Sequence, residues 1–176
     1  MKKAFLSIVV LAAMVIAPMS VSAVTEESAS QNATGHAKIV IPISLTKVKD
    51  LEFGTIISTG AAFTVVANPN DSTFTPTGGA TLTSELTKSV ANFYVAGATG
   101  ISCLITVPSS ALTLTAGSNS VGTVTINSFT TNKTGNTLTI SATTANNYFK
   151  VGGTLNASAG AHGTFSNTFP VTVSYQ

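Results

Sequence analysis

From residue 37 onward the chain is written in short runs in which apolar and polar residues alternate, and no stretch of eleven or more residues keeps a helical apolar period. In "AKIVIPISLT" one face carries Ala37, Ile39, Ile41, Ile43 and Leu45, and the other carries Lys38, Val40, Pro42, Ser44 and Thr46. That spacing predicts a strand over 37–45. Pro42 has no N–H to give to a ladder, so the strand is expected at a sheet edge. Further strands are predicted at "LEFGTII", "FTVVA", "VANFYVAG", "ISCLITVP", "SALTLTAG", "GTVTINSFTTN", "KTGNTLTISAT" and "YFKVGGTLNA", with only a weak one in "ATLTSELTK". The charged "KVKD", the small-residue "STGAA" and the Pro- and Gly-bearing segment 68–80 read as turns and loops. The final "GTFSNTFPVTVSYQ" reads as one strand with Phe165, Phe169, Val171, Val173 and Tyr175 as its buried face. Strands at intervals of roughly 8–12 residues predict an all-β sandwich or barrel. The one-sided alternation favours a two-sheet Greek-key sandwich of immunoglobulin type, occupying 37–176 as a single domain.

The N-terminal segment follows a different pattern. Lys2 and Lys3 precede an apolar run over 4–17, and "PMSVSAV" then places Val21 and Ala23 at small-residue positions. This predicts a signal peptide over 1–23, cut between Ala23 and Val24. The run is shorter than the ~20 residues a spanning helix needs, so no membrane span is expected after cleavage. Residues 24–36 are polar and aperiodic and read as a mobile tail. The expected destination is the periplasm, the cell surface or the medium.

Composition narrows the function. Only 8% of residues are charged, against ~25% in ordinary domains. The formal net charge of +2 equals the contribution of Lys2 and Lys3, and the chain contains no Arg. A near-neutral chain without Arg lacks both the basic footprint and the main base-reading residue of nucleic-acid binders, which excludes that class. Cys103 is the sole cysteine, so no intrachain disulfide forms. Its setting in "ISCLITV" predicts a buried thiol acting as a small hydrophobe, with an intermolecular bridge as the alternative.

Candidate chemistry is sparse. His36 and His162 sit in the turn-like "TGHAK" and "AGAHGTF", without metal-ligand spacing. Asp50 and Glu52 share a strand face, but Lys47 and Lys49 beside them predict an exposed, mutually screened cluster. Asp71 in "NPNDS" predicts an Asx-turn rather than a calcium loop. No catalytic residue, cofactor or metal site is expected.

Three stretches carry a family resemblance. They contain Asp50-Leu51-Glu52-Phe53-Gly54, Phe93-Tyr94-Val95-Ala96-Gly97 and Val151-Gly152-Gly153-Thr154-Leu155. With the Pro42-Ile43 opening and the closing Val171, Val173 and Tyr175, they resemble the secreted bacterial family catalogued as domain of unknown function 4402. Phe165 stands where Tyr is commoner in that family. The resemblance implies an exported β-sandwich and no particular activity. The ending also resembles chaperone-usher pilins, with Gly163 fourteenth from the end and Tyr175 second. That implies a pilin-like sandwich whose last strand pairs with other chains. The chain departs from the pilin pattern in lacking a disulfide pair and in the polar character of its 24–36 tail.

The expected function is therefore that of an exported, non-enzymatic structural or adhesive surface protein, fimbrial-like and using β-strand pairing. Its partners are expected to be copies of itself or related surface subunits. The alternative is a secreted glycan- or protein-binding module, for which Tyr94, Tyr148 and Phe149 would supply the aromatic platform. The candidate pairing interface comprises Phe165, Phe169, Val171, Val173 and Tyr175 with Ile39, Ile41, Ile43 and Leu45. The first strand is expected to pair within its own chain; donation to another chain is the competing arrangement.

Overall fold

Residues 28–176 are described by a computed structural model; the predicted signal peptide and its Ala23–Val24 junction lie outside them. Residues 28–37 belong to no strand and are exposed. Lys38–Gln176 forms a compact unit. Its strands in chain order are β1 (Ser44–Lys49), β2 (Ile56–Ser58), β3 (Phe63–Ala67), β4 (Phe74–Thr77), β5 (Ala80–Leu82), β6 (Ala91–Ala96) and β7 (Ser102–Thr106). They continue as β8 (Leu112–Thr113), β9 (Thr115–Ala116), β10 (Val124–Thr131), β11 (Thr137–Thr139), β12 (Tyr148–Ala157), β13 (Phe165–Ser166) and β14 (Thr172–Tyr175). Helical structure among the described residues is limited to single 3-10 turns at Thr134–Asn136 and Thr144–Asn147. The fold is all-β.

The ten-residue β12 organises the larger sheet. β10 lies along one side of it. On the other side β6 pairs with Tyr148–Val151 and β3 with Gly153–Ala157, so two strands share one edge end to end. Gly152 marks their junction. A Cβ there would fall on the Ala67 carbonyl oxygen and lie 2.7 Å from Pro69 Cδ, so only glycine lets the end of β3 fold across this point. β1 extends the sheet beyond β6, β4 beyond β3 and β8 beyond β10, which makes seven strands. A second sheet has the order β11-β7-β14, and β2–β5 and β9–β13 form separate two-stranded ribbons. Every pairing is antiparallel.

One apolar cluster draws on both larger sheets. The alternation places Val65, Val95, Phe149 and Val151 on the inner face of the seven-stranded sheet and Cys103 and Ile105 on that of the three-stranded sheet, at no more than 1% exposure each. Phe93 and Phe149 stack at 5.3 Å between centroids with planes 17° apart.

The structure revises several sequence expectations. The strand predicted over 37–45 begins at Ser44. Ser44 is opposite Ala96, the last residue of β6, so residues before Ser44 have no partner residue along that strand. The "KVKD" turn is instead partly strand, with Lys47–Lys49 inside β1 and a register shift between the two lysines. Lysines on an edge strand discourage further pairing there. The 68–80 loop contains β4, whose Pro76 is tolerated because β4 is an edge. The closing segment is two strands, with β13 paired to β9 and β14 to β7. Pro170 falls between them, and Gly163 (φ +110°) packs so closely on Ser120 that a Cβ would lie 2.6 Å from its Cα. Phe165, Phe169, Val171, Val173 and Tyr175 do alternate inward, but they are half-buried rather than buried.

Candidate functional site

A cleft of ≈ 1280 Å³ lies between the inner face of the larger sheet and the segments around 50–60 and 160–169. Its floor includes Phe63, Phe93, Ile126 and Leu155, and its rim includes Phe165 and Phe169. These floor residues are themselves buried, Phe63 and Phe93 at 8% exposure, Leu155 at 6% and Ile126 at 5%. The polar part of the rim comes from Asp50–Thr55 and from Gly160–Thr164. Asn167–Val171, between β13 and β14, belong to no strand and leave a stretch of backbone free of ladder bonds beside the cleft.

The second feature is the segment Lys38–Ile43. Ile39 is 95% exposed, Ile41 59%, and Val40 is exposed as well. Ile43 and Leu45, by contrast, are half-buried against the core. The predicted first-strand interface therefore divides into two docked residues and two that project into solvent. Ile39 is the most exposed large apolar side chain among the described residues, while Ile57, Leu86 and Val121 are, like Ile41, more than half exposed.

Ahead of the docked Ile43 the segment is held at Ile41. The Tyr175 hydroxyl donates to the Ile41 carbonyl at 2.7 Å and accepts from the Ala98 N–H at 2.8 Å. A single phenol thus ties the end of β14 to the turn after β6 and to the chain entering β1. Tyr175→Phe removes both bonds and leaves the partly buried Ala98 N–H without its acceptor. The expected cost is about 1–3 kcal/mol, read as a lower midpoint in urea unfolding with an unchanged slope. An unaltered midpoint would show that the hydroxyl contributes nothing.

The remaining candidates are accounted for locally. Cys103 is fully buried and donates to the Leu138 carbonyl at 3.2 Å. Burial pushes its thiol above the ordinary range, opposing the reactive thiolate. In the native protein a thiol reagent should label Cys103 at least ~10³-fold more slowly than in denaturant, because attack awaits opening of a domain worth upwards of about 5 kcal/mol. Labelling at the denatured rate would contradict the burial. Asp71 forms the expected Asx-turn, accepting from the Thr73 N–H at 3.0 Å and its hydroxyl at 2.7 Å, and these bonds hold its carboxyl below the usual range. Asp50 pairs with Lys47 at 2.6 Å on the surface. His162 Nδ1 lies 2.9 Å from the Gly160 carbonyl oxygen. Among the described residues no three His, Cys, Asp or Glu side chains gather in one place.

The aromatic platform is also revised. Phe149 is fully buried, leaving Tyr94 and Tyr148 as a cross-strand pair with centroids 5.0 Å apart on the outer face. The exposed Ile39–Ile41 beyond the strand, and the cleft itself, were not separable in the sequence. Both depend on where the partner strands end.

The class is that of an all-β fold built from antiparallel sheets. The family profile described as Domain of unknown function (DUF4402) matches residues 43–175, and the chain belongs to that family. No curated protein and no solved structure matches the chain. No helix among the described residues is long and apolar enough to cross a membrane.

Proposed function

We propose that the protein is an exported, non-enzymatic structural or adhesive subunit of the cell surface, fimbrial in type, that joins its partners by β-strand pairing. The observation that carries this reading is the solvent exposure of Ile39 and Ile41 on a segment outside any strand that runs directly into β1. A segment of this kind gains most by adding to another sheet, where main-chain bonds supply affinity and alternate side chains supply specificity. The signal-peptide pattern over 1–23 supports export. The confinement of Cys103 and the local bonding of His162 and Asp71 support a role without acid-base chemistry.

The test is expression from the full coding sequence in a bacterial host, followed by fractionation, surface proteolysis and electron microscopy. The expected result is protein outside the inner membrane, accessible at the surface and assembled into oligomers or fibres. Retention in the cytoplasm as a monomer would overturn the reading.

A further inference from the structure

We infer that the outer face of the seven-stranded sheet carries a binding site for an uncharged saccharide chain. It lies in a groove of ≈ 520 Å³ between the Asn68–Thr73 turn and the bulge of β10. The site goes beyond the strand-pairing reading above and does not depend on it, since the groove belongs to a single chain.

Both walls follow from local sequence. Gly152 alternates with the inward-facing Val151 and Gly153, and its missing side chain lets Pro69 lie down on the outer face. The turn around Pro69 is closed by backbone bonds from the Ser72 N–H to the Asn68 carbonyl and from the Asn68 N–H to the Thr73 carbonyl, both at 2.9 Å. The opposite wall is the irregularity in β10. Asn127 is opposite Thr154 and Thr130 is opposite Gly152, so Ser128 and Phe129 together face Gly153. Ser128 takes up the extra residue at φ +49°, in the left-handed region where glycine is at home. A bulge re-aims the side chain it carries, and Ser128 lines the groove while Phe129 stays in the core.

Two neighbouring rows of outward residues cross the strands here, and they differ in what their polar atoms do. In the row Thr125, Asn156, Thr64, Thr77 the Thr64 and Thr77 hydroxyls bond to each other at 2.6 Å, and the Asn156 amide donates to the Thr154 carbonyl at 3.1 Å. The next row is Asn127, Thr154, Val66, Thr75. Among the described residues, the hydroxyls of Thr75, Ser128, Thr130 and Thr154 have no hydrogen-bond partner within the protein, and all four line the groove.

The lining selects the ligand. It contains no charged residue. The adjacent Asp71 carboxylate is taken by Thr73, and Lys150 Nζ donates to the Ser72 hydroxyl at 3.0 Å. Phosphate, sulfate or carboxylate groups would meet no counter-charge. Val66, at 40% exposure, is the one large apolar side chain in the lining, too little surface for a lipid. Hydroxyls that both donate and accept suit a molecule made of hydroxyls. The volume is that of a small-molecule site, ~300–1,000 Å³. From β10 across β12 and β3 to β4 is roughly 14 Å at the usual strand spacing, so a chain of sugar units can meet successive strands.

The full chain is titrated by NMR with cellohexaose, mannohexaose, maltohexaose and laminarihexaose, and with an oligogalacturonate as the anionic comparator. At least one neutral chain should bind at millimolar or tighter Kd and shift the methyl signals of Thr75, Thr130 and Thr154, while the anionic chain should not. Thr130→Val combined with Thr154→Val keeps the shape and removes two hydroxyls, and should weaken binding about 10-fold. Ser128→Gly should weaken it about 3-fold without lowering the urea midpoint, because the backbone strain is relieved at the same time. Thr113→Val, on the same face away from the groove, and Tyr148→Ser, in the aromatic pair, should leave affinity unchanged.

No shift with any neutral chain at millimolar concentration would overturn the inference. So would unchanged affinity in the Thr130→Val/Thr154→Val protein, a preference for the anionic chain, or shifts confined to Tyr94 and Tyr148. A protein that binds saccharide in this groove but stays in the cytoplasm as a monomer would reject the strand-pairing reading and leave this one standing.

Discussion

Gly152→Ala is expected to cost more than about 4 kcal/mol, enough to leave little folded protein. The added methyl group would occupy the position of the Ala67 carbonyl oxygen and press on the Pro69 ring. Neither neighbour is a flexible side chain. The carbonyl belongs to the last residue of β3, which pairs with Gly153, so relief requires moving β3 away from β12 along its ladder. Gly152 is not in the left-handed region, and the whole effect comes from space rather than backbone strain. Gly35→Ala provides the control, since nothing lies within 4 Å of a Cβ there and its φ is ordinary. Urea unfolding of both variants decides the matter. A Gly152→Ala protein within about 1 kcal/mol of wild type would mean that the β3–β12 junction has room it is not seen to have.

Phe149→Ala is the second large effect, at about 3–5 kcal/mol. Phe149 is fully buried, lies opposite Phe93 across the β6–β12 pairing and stacks on it. Truncation removes the apolar transfer energy and opens a void beneath the other sheet. Phe93 itself lines the cleft, so the loss should also loosen the floor at that end. Phe149→Leu keeps much of the volume and should recover more than half of the loss. Equal destabilisation by both variants would instead point to the ring stacking as the dominant contribution.

The strands that face inward on one side were legible because burial imposes a period of two. "FTVVA", "ANFYVA" and "SCLIT" fall within β3, β6 and β7, and their alternating residues form the core. The stretch "AKIVIPIS" obeyed the same rule and was misread for the same reason. Its alternation records where side chains are meant to go, and the end of β6 at Ala96 determines where its own chain can receive them. Pro170 and Gly163 signalled breaks in the closing segment, but the alternation across them is unbroken, so one strand was expected where there are two. The lysines of β1 looked like a turn because a solvent-facing edge strand need not be apolar. The cleft had no sequence signature at all. Its lining runs from Lys47 to Phe169 and is brought together only by pairings between residues far apart in the chain.

That distance also sets a clock. Ile41 and Tyr175, joined through one hydroxyl, are 134 residues apart. At synthesis rates of ~5–20 residues per second, the tyrosine is made roughly 7–27 s after the residue it fastens. Through that interval the three-stranded sheet lacks β14, and Ile41 lacks the hydroxyl that fastens it. The fold is thus complete only once the last strand is in place.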